Sequence, residues 1–206
     1  MTKMSLAAAA AALAAFAGSA RAQACNGFPT VPRQYSVAAV ANFPSGYTQY
    51  GAEASYHGAG PGAINGGFLH ESPGGVSLDH FRIGASYDLS PLNAGMGVPV
   101  GICPTASLDF ASNRGVDLLV APVGVGFGVS LPLGADPRSS VQPYVVPALV
   151  FDRVSDGTVS DTRTSFGLRG GVSVTFGSFF VTGEVNQVFD AGSNAVFGVK
   201  AGFRAR

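Results

Sequence analysis

The chain has 206 residues, 12% of them charged, and its 12 lysines and arginines balance its 12 aspartates and glutamates. This balance excludes the basic surface that nucleic-acid binding requires. No apolar run of about 18 residues follows residue 24, so we expect no transmembrane helix. Ordinary soluble domains carry roughly 25% charged residues, and a chain this poor in charge but holding 29 glycines indicates an all-β protein.

The first residues predict a cleaved signal peptide. Lys3 supplies the positive start, residues 6–17 form a short apolar stretch, and Ala22-Gln23-Ala24 fits a small-residue cleavage motif. We therefore divide the chain into a signal peptide, 1–24, and one exported domain, 25–206.

From residue 34 onward, segments of strand type alternate with short connections rich in glycine, proline, serine and aspartate. We expect about ten strands, although eight or twelve would also fit. The predicted strands are 34–43, 47–57, 62–71, 77–89, 100–111, 116–132, 141–153, 162–176, 179–189 and 195–205.

Each predicted strand has one apolar face, with aromatic residues near its ends, and one face of glycine, serine and threonine interrupted by single charges. A soluble exported β-barrel that binds an apolar ligand would turn the apolar face inward and carry many lysines and glutamates outside. The scarcity of lysine favours the opposite orientation, with the apolar face toward lipid. The prediction is a closed, antiparallel, up-and-down transmembrane β-barrel with a polar lumen filled by side chains.

The turn after residue 176 predicts a register. If residues 177–178 form a two-residue turn, Phe176 lies opposite Phe179, and Arg169 comes within reach of Glu184 on the adjacent strand. Arg169 then points into the lumen.

The next connection extends this register to the last strand. If residues 190–194 form the loop, Phe189 lies opposite Ala195, and Glu184 directly faces Lys200. We expect an ion-pair cluster that fills and stiffens the lumen, because unpaired charge is costly in a narrow interior. The functional alternative is a lumen binding site or ion path. The predicted cluster is Arg169, Glu184 and Lys200.

The residues around Arg169 complete this prediction. Gly167 and Gly171 share its face, and we expect them to leave room for its side chain. Phe166 and Phe176 lie on the other face and mark the lipid interfaces.

The two cysteines predict a disulfide between Cys25 and Cys103, since export permits oxidation and each has one available partner. The alternative is lipidation of Cys25 as the first mature residue, but Ala22 and Gln23 match the lipoprotein pattern poorly. If both chain ends lie on the periplasmic side, the fifth strand starts there and brings Cys103 near the mature N-terminus.

The stretches VGVGFGVSLPL, PYVVPALVF, SFGLRGGVSVTF and VFGVKAGF resemble the small outer-membrane β-barrel proteins typified by the OmpA transmembrane domain, OmpX and OmpW. The resemblance implies an integral outer-membrane protein with a structural, interaction or minor transport role. It also implies outer-membrane lipid as surroundings and the barrel-assembly machinery as a transient partner. We expect a monomer without cofactor or metal. Members of this group usually end on an aromatic residue, whereas here three residues follow Phe203.

The sequence holds no motif that predicts catalysis, so we expect no enzyme; a barrel that modifies envelope lipid is the alternative. The histidines that could serve in catalysis are His57, His70 and His80. The runs His70-Glu71-Ser72 and Ser77-Asp79-His80 have triad-like composition, but adjacent residues of a strand alternate between faces. We therefore expect neither run to assemble one site by itself.

Overall fold

The computed structural model describes most of the chain. The described residues are 24–25, 28–29, 34–72, 77–89, 100–113, 115–134, 136, 138–156, 158–190 and 193–205. Nearly all of the predicted signal peptide lies outside them. None of the described residues form a helix long and apolar enough to cross a membrane.

Thirteen strands are described, and ten of them are long. The predicted segments coincide with the long strands to within a few residues at each end. The strands are β1 Ala24–Cys25, β2 Phe28–Pro29, β3 Gln34–Phe43, β4 Gln49–His57, β5 Gly62–Glu71, β6 Leu78–Tyr87, β7 Val100–Asn113, β8 Val116–Val129, β9 Leu131–Pro132, β10 Ser140–Ser155, β11 Ser160–Phe176, β12 Phe179–Phe189 and β13 Val196–Ala205.

The ten long strands form a closed antiparallel barrel in which each strand pairs with its neighbours in sequence. The sheet order runs from β11 through β12 and β13 to β3, and then through β4 to β8 and β10, which pairs with β11 again. The closing pair of first and last strands is β3 with β13, where Ala205 lies opposite Tyr35. The predicted fold class is confirmed, with ten strands.

We call the end where β3 begins and β13 finishes the terminal end, and the opposite end the distal end. Strand height is uneven at the distal end. The β10–β11 pair continues to Ser155 and Ser160, whereas β12 pairs with β11 only as far as Phe166. On the other side β8 follows β10 to this height, where Asp117 lies opposite Ser155, so the β7–β8 and β10–β11 hairpins stand above β12.

The outer surface is apolar along all ten strands, as the alternation predicted. The exposed large side chains include Phe166 and Phe176 on β11, at its distal and terminal sides. Ten residues of strand at roughly 3.3 Å each, tilted by about 40°, give an apolar band about 25 Å tall. Aromatic pairs border the band, with Phe166 beside Phe189 at the distal end and Tyr35 beside Tyr56 at the terminal end. This is the outer surface of a transmembrane barrel.

Two prolines on β10 fit into the closed barrel without shifting its register. Pro143 and Pro147 both pair with β11, but no pair joins either of them to β8 or β9. The register between β10 and β8 is the same on both sides of Pro147. Proline has no backbone N–H, and each of the two lies where the ladder between β10 and its β8–β9 neighbour is interrupted. Both lie inside β10 and not at its start.

The short hairpin of β1 and β2 lies against one wall of the barrel. β1 contacts β7, β8 and β10, and β2 contacts β11. The side chain of Cys103 on β7 is completely buried and is not a free thiol. Cys103 lies between half-buried Ile102 and exposed Pro104 and so faces the lumen near the terminal end. The backbone of Cys25 thus belongs to a strand that contacts the strand of Cys103, and the disulfide between them stays a prediction.

Candidate functional site

The lumen is crossed by ion pairs centred on Lys200 of β13. Its Nζ atom lies 3.0 Å from Oε2 of Glu53 on β4 and 3.4 Å from Oε1 of Glu184 on β12. The side chains of Lys200 and Glu53 are only 2% and 3% exposed. A buried ammonium needs such partners, because an uncompensated buried charge costs several kcal/mol.

Arg82 of β6 extends these ion pairs to the next strands. Its Nη1 lies 3.3 Å from Oε1 of Glu53, and its Nη2 and Nε lie 2.7 and 3.1 Å from Oδ2 of Asp109 on β7. The guanidinium thus links two carboxylates that belong to different strands. Its planar fork of donors suits this role better than an ammonium would.

His80 of β6 joins a third pair of carboxylates on the same side of the lumen. Its Nδ1 lies 3.0 Å from Oδ1 of Asp109, and its Nε2 lies 3.2 Å from Oε1 of Glu71. An imidazole can donate to two carboxylates only when both nitrogens carry protons. Glu71 also accepts a hydrogen bond from Gln49, which accepts one from Asn42 at 3.2 Å. The network therefore reaches β3.

On the opposite wall, the hydroxyl of Tyr144 on β10 donates to Oε2 of Glu184 at 2.8 Å. Gly171 lies directly opposite Tyr144 on β11. A Cβ at residue 171 would lie 2.8 Å from the Tyr144 hydroxyl oxygen and 2.5 Å from the carbonyl oxygen of Gly183. Gly171 therefore makes room for Tyr144. This corrects the expectation that it serves Arg169.

The structure places the three predicted cluster residues on the lumen side. The register of β11 with β12 is the predicted one, with Arg169 opposite Asn186. The register of β12 with β13 differs by two residues, so that Glu184 lies opposite Gly198 and not opposite Lys200. Lys200 still reaches Glu184 diagonally, because a shift of two residues keeps both side chains on the same face.

The connection between β12 and β13 is also longer than expected. Pairing between β12 and β13 stops at Asn186 with Val196, and Gln187 turns toward the connection, donating to the carbonyl oxygen of Val188 at 2.7 Å. The prediction had continued the ladder to Phe189. The prediction that Glu184 lies directly opposite Lys200 is therefore wrong.

A cavity of about 290 Å³ lies against the network and also borders Arg169. Its two sides differ in character. Glu53, Arg82 and Asp109 line one side with charge, and Val146 and Val150 line the other with apolar surface. The cavity is large enough for several water molecules or one small solute.

A second group of polar side chains lies outside the barrel, at the distal end of β5 and β6. Nδ1 of His70 lies 2.7 Å from Oδ1 of Asp79, its partner across the two strands. Nε2 of His70 lies 3.4 Å from Oγ of Ser72, and this Oγ lies 3.5 Å from Oγ of Ser77. We call Ser72, His70 and Asp79 the rim triad.

The rim triad corrects one step of the sequence argument. Glu71 and His80 do point to the other face and lie in the lumen, as alternation requires. Strand pairing, however, brings Asp79 from the second run to His70 of the first. The signal that identifies this pairing is the register of the β5–β6 hairpin. His57 is buried near the terminal end, where Nδ1 lies 3.2 Å from the carbonyl oxygen of Gly58.

Among the described residues, no group of histidine, cysteine, aspartate and glutamate side chains could hold a metal ion. No protein-family model matches the chain, and no curated protein matches it.

Several solved structures are similar to the chain. The N-terminal β-barrel domain of Pseudomonas aeruginosa OprF gives a TM-score of 0.39 at 12% identity, covering 84% of this chain and 98% of that one. Neisserial surface protein A gives 0.37 at 15% identity, covering 84% and 94%. The Yersinia pestis attachment invasion locus protein Ail gives 0.27 at 12% identity, covering 84% and 95%. At these identities and scores, none of them carries a function over to this chain.

Proposed function

We propose that the chain is an integral outer-membrane β-barrel protein whose lumen is closed to free diffusion, with a structural or interaction role in the envelope. The observation that carries the proposal is the pairing of an apolar outer face with ion pairs that cross the interior from β12 to β7. The outer face suits lipid, and the ion pairs fill the space that an open pore would leave to water.

The apolar outer face argues against a soluble exported barrel that holds an apolar ligand. Such a barrel would direct its large apolar side chains inward, whereas Phe81, Ile83 and Phe203 are among many that are exposed outside. Fractionation tests this point. We expect the protein in the outer-membrane fraction, with heat-modifiable migration in detergent gels, and recovery from the soluble periplasm would overturn the proposal.

Conductance in planar bilayers tests the closed lumen. We expect the folded wild-type barrel to show little or no steady current, and the Arg82→Ser variant to conduct more, because it removes the link between Glu53 and Asp109. Arg163→Ser is the matched control, since Arg163 lies at the exposed distal end of β11. Large steady conductance of the wild type would overturn the closed lumen while leaving the membrane barrel intact.

The cavity beside the network favours a second, minor role in the passage or holding of a small solute. Its charged side and apolar side could both contact one small molecule. Under this role, a solute that enters the cavity would interrupt or raise the small current of the wild type. The signal peptide, the barrel-assembly machinery as transient partner and the monomeric state belong to the same proposal, and the closed ladder supports the last of these.

A further inference from the structure

The rim triad joins the side chains of a serine, a histidine and an aspartate in series on the outer wall. Ser72 Oγ lies 3.4 Å from Nε2 of His70, and Nδ1 of His70 lies 2.7 Å from Oδ1 of Asp79. We propose that this triad is a hydrolase site that cleaves the ester bond of an acyl chain in a membrane lipid. The activity goes beyond the proposed barrel function, and its lipid substrate rests on the barrel spanning a membrane.

The fold holds the histidine and its acid partner in place. His70 and Asp79 are direct partners on antiparallel strands, so their side chains leave the sheet side by side. On its other side His70 lies opposite Tyr50 of β4, whose ring centroid is 5.2 Å from the histidine ring. Ser72 directly follows the last residue of β5, and its hydroxyl lies on the His70 side, 3.4 Å from Nε2. The ring is fixed between a carboxylate and an aromatic side chain.

The order of contacts matches the roles that a catalytic triad needs. Asp79 accepts the Nδ1 proton of His70, which leaves Nε2 free to accept a proton from Ser72. The separation of 3.4 Å between Nε2 and Oγ is longer than a formed hydrogen bond. Such pairs are often loose without substrate and shorten when it binds.

Each step of the reaction balances. Ser72 Oγ attacks the ester carbonyl carbon as its proton passes to Nε2 of His70. The bond from carbon to the lipid alcohol then breaks, and the alcohol leaves with that proton. Water attacks the acyl–Ser72 ester, gives one proton to His70, and releases the fatty acid while Ser72 regains its proton. The net reaction consumes one water and needs no oxidant, reductant or metal.

The position of the triad defines the substrate class. His70 and Asp79 are 26% and 54% exposed on the outer wall, so a substrate can approach from outside the barrel. One row toward the terminal end, Phe68 and Phe81 are exposed with ring centroids 5.4 Å apart. A lipid whose chain lies along these two rings would present its ester bond at the level of Ser72. Ester bonds of membrane lipids lie at the boundary between apolar chains and polar headgroups, which is where the triad lies.

The lumen face of the same hairpin shows a contrasting arrangement. His80 is buried between the carboxylates of Glu71 and Asp109. Each of its two ring nitrogens faces one of these carboxylates. His80 therefore serves as an ionic link, whereas His70 has one carboxylate on one nitrogen and one hydroxyl near the other.

The first test is labelling of the full-length folded barrel with a fluorophosphonate probe, which reacts with activated serines and needs no lipid. We expect labelling at Ser72, its loss in Ser72→Ala and His70→Ala, and a decrease of about 10²–10⁴-fold in Asp79→Asn. Ser112→Ala is the matched control, because Ser112 is an exposed serine at the distal end of β7, and it should label like the wild type. Heat-modifiable migration of every variant shows that it is folded.

The second test measures fatty-acid release by mass spectrometry from two substrates, glycerophospholipid vesicles and lipopolysaccharide-containing vesicles. Release from either one, lost in Ser72→Ala and kept in Ser112→Ala, supports the proposal and identifies the lipid. The proposal is overturned if the folded wild type neither labels nor releases fatty acid, or if Ser72→Ala keeps both activities. Labelling that is lost in Ser77→Ala but kept in Ser72→Ala would overturn Ser72 as nucleophile. These outcomes are independent of fractionation, which tests the membrane barrel separately.

Discussion

Lys200 Nζ lies 3.0 Å from Glu53 Oε2, although β13 and β4 are separated by β3 in the sheet. The lysine side chain therefore passes over the inner face of β3 and ties the last strand to the second long one. Glu184 on β12 holds the same ammonium from the other side at 3.4 Å. The closing seam of the barrel is thus bridged by side chains as well as by the ladder of β13 with β3.

Removing this ammonium should destabilise the barrel strongly. Lys200→Met leaves Glu53 and Glu184 buried without their shared cation, and we expect a loss of about 3–5 kcal/mol in the free energy of unfolding. Urea titration in lipid vesicles, followed by the heat-modifiable gel shift, measures it. The exposed Arg163→Ala, with a change within about 0.5 kcal/mol, is the control.

A double variant distinguishes the ion pair from simple packing. In the Lys200→Met background, Glu53 has already lost one partner. Glu53→Gln should therefore lower the free energy of unfolding less in this background than in the wild type. We expect a coupling energy of about 0.5–3 kcal/mol. If the effects of Lys200→Met and Glu53→Gln on the free energy of unfolding simply add, the ion pair between Lys200 and Glu53 makes no contribution to stability.

Gly171 provides a test of packing in the lumen. A Cβ at this position would lie 2.8 Å from the Tyr144 hydroxyl oxygen, so Gly171→Ala must displace the ring that donates to Glu184. We expect a loss of about 1–3 kcal/mol, the usual effect of overpacking, measured by the same urea titration. Gly183→Ala is the matched control, because nothing lies within 4 Å of its added Cβ. Equal effects of the two variants would contradict this account of Tyr144.

The disulfide between Cys25 and Cys103 can be tested on gels. We expect the purified protein to migrate differently with and without reductant, and Cys103→Ser to abolish the difference. Loss of the bond should cost about 2–4 kcal/mol, because it closes a long loop. The burial of Cys103 and the contact of β1 with β7 support the prediction. Free-thiol labelling of both cysteines in the folded protein, or an acyl group on Cys25, would contradict it.

The stabilising hydrogen bonds of the distal turn after β10 should weaken as the pH falls. The backbone N–H of Val159 and both the N–H and hydroxyl of Thr158 donate to Asp156 Oδ1 at 2.7–3.0 Å, and these bonds hold the pKa of Asp156 below its ordinary value. Their contribution is present above the unfolded-state pKa of about 3.9 and disappears as the pH falls through the lower folded-state pKa.

Carboxyl NMR titration measures this pKa directly. The midpoint for Asp156 should lie below about 3.9, and Thr158→Val, which removes the hydroxyl donor, should move it part of the way back. A midpoint at or above the ordinary value would show that the turn does not hold the carboxylate in solution.

Much of the barrel follows from local sequence. Alternation defines the ten strands, and the tight turn after Phe176 defines the register that places Arg169 opposite Asn186. Both properties depend on neighbours in the chain. The connection after β12 is longer and less constrained, which is why the position of Lys200 was displaced by two residues.

The residues that the sequence argument missed depend on strands distant in the chain. Glu53, Arg82 and Asp109 lie on the polar faces of their strands, but their pairing requires several registers at once and the closure of the barrel. The rim triad depends on the register across the β5–β6 connection, whose length alone does not determine the pairing of His70 with Asp79. Such combinations appear only when the strands are placed together.

The pairing of β3 with β13 also has a consequence for synthesis. The first long strand leaves the ribosome early but finds its second neighbour only when the last strand has been made. Until then Glu53 has only Arg82 of β6 as a cation and lacks the ammonium of Lys200, and the unfinished barrel carries an open edge. A chain that ends before β13 therefore keeps an unpaired edge on β3, and unpaired backbone N–H and C=O groups are costly in the hydrocarbon core of a bilayer.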